Sequence, residues 1–331
     1  MINRTQTLRE RFMHLWFMLH ERWTRFFFEP VEPSNLGLCR VLFYGAFFLL
    51  YLPQDWSAWA YVGDVFFQPI VFFQILQLPV LSSDLILVLQ AIWKASLALS
   101  CLGLFTRAST MSSLILGVYL LGLPNNFGKI HEHEALVVIC LGIMALSRCG
   151  DAYSIDQLIR KARRGNDPST RRTWISGEYT WPVRNVWLMF ALVFFLAGVS
   201  KLRHSGLEWI FSDNMAITLL QMGVQYHMAN ADPLVPWGPY LAQHVWLTQL
   251  MAAGTLVLEV GYPLALFSSR ARWVIVPSML LLLIGVRVLM GPTFVPQWLI
   301  LYLFWVPWDR VSFRIESAVR KVGRREWAGT G

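Results

Sequence analysis

Charged residues are scarce in this chain. Asp, Glu, Lys and Arg make up 15% of its 331 residues, whereas soluble domains contain about a quarter. Hydrophobic residues account for 56% of the sequence, including 22 Phe and 16 Trp, and apolar runs close to the length of a bilayer crossing recur along it. The composition therefore excludes an ordinary soluble domain and predicts an all-α, polytopic membrane protein.

Cysteine and the common catalytic motifs are also sparse. The four cysteines are Cys39, Cys101, Cys140 and Cys149. All of them fall within predicted spans or at their cytoplasmic ends, so we expect no structural disulfide. The chain lacks a Gly-rich phosphate loop, a Ser/His/Asp arrangement and a nucleotide fingerprint. His131 and His133 have no third ligand at zinc-site spacing, so we predict no metal.

The apolar runs predict about eight transmembrane helices. Their approximate bounds are Leu36–Leu52, Asp84–Leu104, Ser109–Leu123, His133–Ala145, Val183–Ser200, Trp246–Phe267, Trp273–Met290 and Thr293–Trp308. The apolar segment Phe66–Val80 is interrupted by prolines and is predicted to be interfacial or re-entrant. The first apolar run follows Pro30 and Pro33 and has no small-residue cleavage site after it, so we expect no cleavable signal peptide.

The 28 basic residues are distributed unevenly over the predicted loops. Most lie in the N-terminal arm, in the connections after the second, fourth and sixth spans, and in the C-terminal tail. With eight spans, all of these segments are on one side, which the positive-inside rule assigns to the cytoplasm. We therefore predict cytoplasmic N and C termini, and we attribute the formal charge of +8 to membrane orientation, not to nucleic-acid binding.

The same patterns divide the chain into three parts. Residues 1–35 mix arginine with aromatic residues and are predicted to form an amphipathic arm in the cytoplasmic interface. Residues 36–310 form the predicted transmembrane domain. Residues 311–331 form a basic cytoplasmic tail.

A lysine lies at the end of the apolar run Val183–Trp209. Lys201 could simply anchor the helix by extending its ammonium to the interface. Alternatively, a neutral amine held in an apolar site can act as a base. The predicted orientation places Lys201 and His133 on the same, non-cytoplasmic face, where the loop Leu202–His244 could cover a site.

Four more ionisable residues lie away from the ends of predicted spans, and they are Arg40, Lys94, Glu259 and Arg287. A charge at that depth normally has a partner, so we expect Glu259 to pair with Lys94 or Arg40, with Arg287 as another candidate. Such a pair would support the bundle whatever the function. A transporter that uses Lys94, Glu259 and Arg287 as a relay is a weaker alternative, because no inverted repeat is visible.

The stretch FFLAGVSKLRHSGLEW, residues 194–209, resembles a segment of the vitamin K-dependent γ-carboxylases and of the broader horizontally transferred transmembrane (HTTM) domain family. In that family an apolar helix ends in an aromatic–x–x–Ala–Gly–Val–x–Lys–Leu motif, followed shortly by Trp. Arg40 in the first span, GLFTR at 103–107, the histidine opening the fourth span, DAYSID at 151–156 and Glu259 support the match. The resemblance covers residues 36 to 310.

The resemblance implies a membrane enzyme with reduced vitamin K or menaquinol as its cofactor. In the carboxylases the matching lysine deprotonates the quinol, oxygen adds, and the basic oxygenated species removes a γ-proton from a peptide glutamate, which then takes up carbon dioxide. Carried over, this implies that Lys201 is the base and His133 a hydrogen-bonding histidine beside it. The implied partners are membrane lipid and a secreted peptide or protein, in the bacterial cytoplasmic (inner) membrane.

A non-enzymatic function is the alternative interpretation of the same features. The protein would then be a membrane factor for maturation or export of a secreted peptide, or a subunit of a membrane complex. The two hypotheses differ in whether Lys201 is needed.

Overall fold

The structure is a computed structural model that describes residues 2–128, 132–164, 175–228, 233–291 and 295–311. Within these ranges the regular structure is helical, apart from one isolated antiparallel bridge between Val31 and Ser176. This confirms the predicted all-α class. The α-helices are α1 Ile2–Phe28, α2 Ser34–Tyr51, α3 Val71–Ile75, α4 Ser83–Leu102, α5 Thr106–Gly122, α6 Glu132–Leu146, α7 Ile155–Arg164, α8 Trp181–Ser205, α9 Glu208–Phe211, α10 Asn214–Met228, α11 Gly238–Ala242, α12 Val245–Gly261, α13 Leu264–Phe267, α14 Ser269–Met290 and α15 Val295–Leu301.

Among the described residues, four segments are long and apolar enough to cross a membrane: α2, α4, the stretch Gly177–Ser205 that contains α8, and α14. Two further apolar helices, His133–Leu146 and Val245–Gly261, are shorter. The 17 residues of α12 extend about 26 Å at about 1.5 Å per residue, which is less than the ~30 Å hydrocarbon core. The protein is thus a multi-pass membrane protein by fold, with fewer membrane-length helices than the eight predicted spans.

Two of the predicted spans are not continuous helices. The sixth is divided into α12 and α13 at Tyr262 and Pro263, because proline lacks the N–H that would continue the helical hydrogen bonds. The eighth contains the seven-residue α15 followed by the 3₁₀ turn Tyr302–Trp305. The predicted outer loop Leu202–His244 also differs, since α9, α10 and α11 form within it.

The contacts divide the chain into two compact units. The first contains Met1–Ile130, Val138–Asn185 and Val306–Gly331, and the second contains His131–Val137 and Val186–Trp305. The predicted basic tail, apart from Val311, lies outside the described residues, so its prediction is not tested.

In the first unit, α2, α4 and α5 pack closely through aromatic and small residues. Trp93 in α4 is fully buried, and its indole Nε1 donates to the Ser113 carbonyl of α5 at 2.9 Å. The hydroxyls of Ser96 and Ser113 are 2.8 Å apart. These side chains satisfy one another where no water is available, which is the requirement for polar groups in apolar surroundings.

Arg40 is fully buried in α2, as the sequence predicted, but its partners are carbonyls. It donates to the Ser100 carbonyl at 2.8 Å and to the Tyr153 carbonyl at 2.6 Å. Ser100 lies in the last turn of α4, where a cation is favoured by the exposed carbonyls and the helix dipole. Arg40 therefore connects α2 to the end of α4 and to the segment before α7.

Lys94 is half-buried in α4 and caps the end of another helix. Its Nζ donates to the carbonyls of Leu52 and Gln54 at 3.0 and 2.7 Å, just after the last residue of α2. The expected pairing of Lys94 or Arg40 with Glu259 is therefore wrong, because both cations bind backbone carbonyls and Glu259 has a different partner, described below.

The N-terminus of α5 is capped by a carboxylate from α7. Asp156 accepts hydrogen bonds from the backbone N–H groups of Phe105 and Thr106 at 2.9 and 2.7 Å, and from the Thr106 hydroxyl at 2.7 Å. Burial by itself would raise the pKa of the Asp156 carboxyl, but the hydrogen bonds from Thr106 and Phe105 outweigh it and lower the pKa below its usual value. This explains the structural role of the DAYSID segment.

We predict that Asp156→Ala lowers the free energy of unfolding by about 1 kcal/mol at neutral pH, as for other lost caps. A carboxyl with a lowered folded-state pKa stabilises above its unfolded pKa, and this stabilisation is lost as the pH falls through the folded value. The difference in thermal unfolding between wild type and Asp156→Ala should therefore shrink on acidification. Asp156→Asn, which accepts a hydrogen bond but does not titrate, should show less pH dependence than wild type. A difference independent of pH would contradict the prediction.

Candidate functional site at the end of α8

The site is built where α8 and α12 approach each other in the second unit. Lys201 lies inside α8, about one turn before its end at Ser205, and not beyond the helix as the apolar run suggested. Its Nζ contacts both carboxylate oxygens of Glu259 in α12, at 2.7 and 2.6 Å. Glu259 is 8% exposed. The lysine is therefore held by a buried carboxylate and does not simply extend to the membrane surface.

A glycine makes this approach of the two helices possible. A Cβ added at Gly198 would lie 2.8 Å from Val260 Cγ2 and 3.0 Å from Glu259 Cβ. Both distances are shorter than ordinary carbon contacts. Gly198, one turn before Lys201, thus allows the Lys201 side chain to reach Glu259.

We predict that Gly198→Ala destabilises the protein by about 1–3 kcal/mol, because the added methyl group overpacks the contact between α8 and α12. The matched control is Gly254→Ala in α12, where an added Cβ meets no atom within 4 Å. There the better helix propensity of alanine should stabilise the protein by up to about 1 kcal/mol. Thermal unfolding in detergent measures both, and equal effects of the two substitutions would refute the close-contact interpretation.

Trp209 in α9 forms one wall of the site. The Lys201 ammonium lies 5.4 Å from the centroid of the Trp209 ring, within the range of a cation–π interaction. The Trp209 indole Nε1 is buried, with no hydrogen-bond partner in the described part of the chain. Trp209 was noted in the sequence only as part of the family motif, and the structure brings it to the lysine.

His133 lies near the start of α6 and is half-buried. It belongs to the same unit as Lys201 and Glu259. His131 lies outside the described residues. Among the described residues, no group of three or more His, Cys, Asp or Glu side chains is arranged to hold a metal ion.

Arg287 is half-buried near the end of α14, and not deep inside the bundle. Its Nη1 donates to the Gly291 carbonyl at 2.9 Å, just past the last residue of the helix. Gly291 has φ +89°, the left-handed conformation that commonly ends helices. Arg287 thus interacts with the C-terminus of its own helix, as cations there commonly do.

An aromatic cluster follows Glu259 by one helical turn, and sequence reasoning did not identify it. Its members are Trp187, Phe190, Phe194, Tyr262, Trp298, Tyr302 and Trp305. The i, i+4, i+7 spacing of Trp298, Tyr302 and Trp305 is the sequence signal that could have predicted a shared helix face. Two polar atoms in or beside the cluster are buried without a hydrogen-bond partner within the described ranges, and they are Trp305 Nε1 and Gln297 Oε1.

The helical fold, the four membrane-length apolar helices among the described residues and the contact between Lys201 and Glu259 define a multi-pass membrane protein with a lysine–glutamate pair inside its helix packing. The family model for the HTTM domain matches residues 28–301. Because this match covers more than half of the chain, the protein belongs to the HTTM family. No curated protein and no solved structure matches the chain.

Proposed function

We propose that the protein is a membrane-embedded, carboxylase-like enzyme that deprotonates and oxygenates a lipid quinol at the non-cytoplasmic face of the membrane. Lys201 is the base and His133 assists it. The observation that carries the proposal is the contact of Lys201 Nζ with both oxygens of the buried Glu259. A charged pair at the end of an apolar helix is costly to maintain, and such residues usually mark functional sites in membrane proteins.

The pair suits a lysine that accepts a proton. When the amine takes the phenolic proton of a quinol, the O–H bond breaks, an N–H bond forms, and Lys201 becomes an ammonium. The Glu259 carboxylate stabilises that ammonium through two short charge-assisted contacts, and the face of Trp209 adds a cation–π interaction. Glu259 is thus the group that orients Lys201 and stabilises its protonated form.

The cofactor proposed is reduced vitamin K or menaquinol, and the residues present fit such a group. A quinol head is a flat aromatic ring with two oxygens, and the aromatic cluster beyond Glu259 offers ring faces together with unpaired buried polar atoms on Trp305 and Gln297. An unpaired buried polar atom costs about 1–3 kcal/mol, so a ligand that pairs with these groups would stabilise the cluster. When bound, the quinol supplies the electrons for oxygen chemistry.

The proposed topology has eight spans, with both termini in the cytoplasm of a bacterium and the site facing away from it. The distribution of basic residues supports it, because the positive segments fall on alternate loops only if the span count is even. The shorter helices α5, α6 and α12 and the broken segment at α15 supply the four crossings beyond the four membrane-length helices. Membrane lipid surrounds the bundle, and a quinol would enter from the bilayer.

The direct test uses purified full-length protein in lipid, with reduced vitamin K and menaquinol supplied separately. We expect oxygen-dependent conversion of at least one of them to its epoxide, detected by mass spectrometry, and we expect a quinone to co-purify with the protein. Absence of turnover with both quinols, together with absence of a bound quinone, would contradict the proposal.

A second candidate is a non-enzymatic factor that matures or exports a secreted peptide or protein. It is supported by α10, which exposes an apolar stripe at i, i+3 and i+7 made of Ile217, Leu220 and Val224. This stripe lies in the segment that the proposed topology places on the non-cytoplasmic side. If this candidate is correct, Lys201→Met leaves maturation of the secreted partner intact, while polar substitutions in the α10 stripe abolish it.

A further inference from the structure

Within the described contacts, only the C-terminal end of α1 is attached to the rest of the protein. Phe27, at 5% exposure, is buried, and the Arg184 guanidinium lies 5.0 Å from the centroid of the Phe26 ring. Beyond the helix, Val31 pairs with Ser176. In contrast, Trp16 and Trp23 are 62% and 60% exposed. An isolated helix is only marginally stable in water, so the exposed turns of α1 need a surface to lie on.

The two faces of α1 differ in chemistry. Trp16 and Trp23 are seven residues apart and therefore share a face, and the Trp23 ring continues to Phe27 with 4.6 Å between centroids. By the helical repeat, Arg22 and Arg25 share a different face. Residues 2–28 contain five arginines and two glutamates. This is the pattern of a helix lying in a bilayer interface, with aromatic residues toward the acyl chains and basic residues at the phosphates.

A second helix of the same unit has the same character. In α7, Leu158 is 62% exposed and Ile159 is 39% exposed. The basic residues of α7 are Arg160, Lys161, Arg163 and Arg164. A short helix with exposed aliphatic residues next to four cations also fits an anionic interface.

One polar cluster connects the two helices, which places them on the same side of the first unit. Asp151 binds Arg148 at 2.9 Å and Arg160 of α7 at 3.3 Å, and it accepts a hydrogen bond from the Tyr179 hydroxyl at 3.0 Å. Tyr179 belongs to the 3₁₀ turn Gly177–Tyr179. A Cβ added at Gly177 would overlap the backbone of Phe28, the last residue of α1, so this turn packs directly against the end of the helix.

We propose that α1 and α7 form one binding surface for an anionic phospholipid bilayer, into which their exposed aromatic and aliphatic residues insert while their basic residues contact the lipid phosphates. This inference is independent of the chemistry at Lys201. The surface favours lipid over a protein partner because both helices combine exposed apolar residues with several basic residues, and the charge complements a negative leaflet. This surface holds the N-terminal arm on the membrane, and it binds more strongly as the fraction of anionic lipid rises.

Hydrogen exchange on the full-length protein in nanodiscs tests this, with phosphatidylcholine alone or mixed with phosphatidylglycerol. We expect the amides of residues 13–26 and 155–164 to exchange more slowly in the anionic nanodiscs, and high salt to remove much of the difference. Each cation near an anionic surface contributes about fivefold to binding. The variant Arg22→Gln/Arg25→Gln should therefore lose roughly 25-fold of the protection that anionic lipid confers on α1.

Matched variants distinguish the contribution of basic charge to membrane binding from the contribution of aromatic insertion. Arg22→Lys/Arg25→Lys keeps the charge and should retain most of the protection, while Trp16→Ser/Trp23→Ser should lose protection in both kinds of nanodisc. Equal protection of α1 in neutral and anionic nanodiscs would overturn the proposal. So would protection in detergent that rises with protein concentration, because a second copy of the chain would then be covering the helix.

Discussion

Lys201→Met is expected to lower oxygen-dependent quinol epoxidation by at least about 10²-fold, the usual contribution of a general base. The substitution removes the amine that accepts the phenolic proton and leaves the Glu259 carboxylate without its partner. The measurement is the initial rate of epoxide formation by purified protein in lipid. Retention of the wild-type rate would remove Lys201 from the mechanism.

Lys94→Met is the matched control for this experiment. Lys94 is another half-buried lysine in an apolar helix, but its Nζ binds the carbonyls of Leu52 and Gln54. We therefore expect it to affect stability and to leave the rate of the folded protein unchanged. A comparable loss of rate in Lys94→Met would mean that the assay reports folding and not chemistry.

Lys201→Arg distinguishes two roles of Lys201, that of a base and that of an ion-pair partner for Glu259. Arginine can maintain the contact with Glu259, but it does not give up its proton in proteins. If Lys201 is the base, the arginine variant folds and is inactive. An active arginine variant would assign to Lys201 the purely structural role of pairing with Glu259.

Glu259→Met is expected to lower the free energy of unfolding by about 3 kcal/mol, because it leaves the partly buried Lys201 without the carboxylate that it contacts. The double variant Lys201→Met/Glu259→Met removes both charges and should recover most of this loss, since replacing a buried pair by apolar residues is often nearly neutral. The unfolding free energies of the two single variants and the double variant form a cycle that isolates the interaction.

The rate of quinol epoxidation by the same three variants is a second measurement on this cycle. The double variant should be as inactive as Lys201→Met even where its stability is restored, because neither the base nor its orienting carboxylate is present. Additive losses of stability would contradict a direct energetic coupling between Lys201 and Glu259. Recovery of activity along with stability would show that the pair only supports the fold.

The chemistry-bearing residues were visible in the sequence, but their pairing was not. Glu259 and Lys201 were each noticeable as an ionisable residue in an apolar segment, which is unusual enough to identify by itself. For Glu259, however, the apolar segments offered several cations, and no local periodicity links Lys201 to Glu259 across a sequence separation of 58 residues. The choice depended on which helices meet, and Gly198 allows α8 to meet α12 at this point.

Helix prediction succeeded where one long apolar run is one helix, as in α2, α4, α8 and α14. It failed at α12, where Pro263 ends the helix although hydrophobic residues continue past it. It also failed in the segment 202–244, where α10 forms although its polar and aromatic residues suggested a loop. Hydropathy measures the preference of a segment for lipid, whereas a helix ends where its backbone hydrogen bonds can no longer be made.

The sequence by itself determined the class of this protein: composition, apolar run length and motif order established an all-helical membrane protein of the HTTM family. Only the tertiary structure decided that Lys201 binds Glu259, that Arg40, Lys94 and Arg287 bind backbone carbonyls, and that Asp156 caps α5. The reason is that a buried charge must find a partner in its surroundings. Those surroundings are assembled from helices far apart in the chain, so the partner is known only once they are packed.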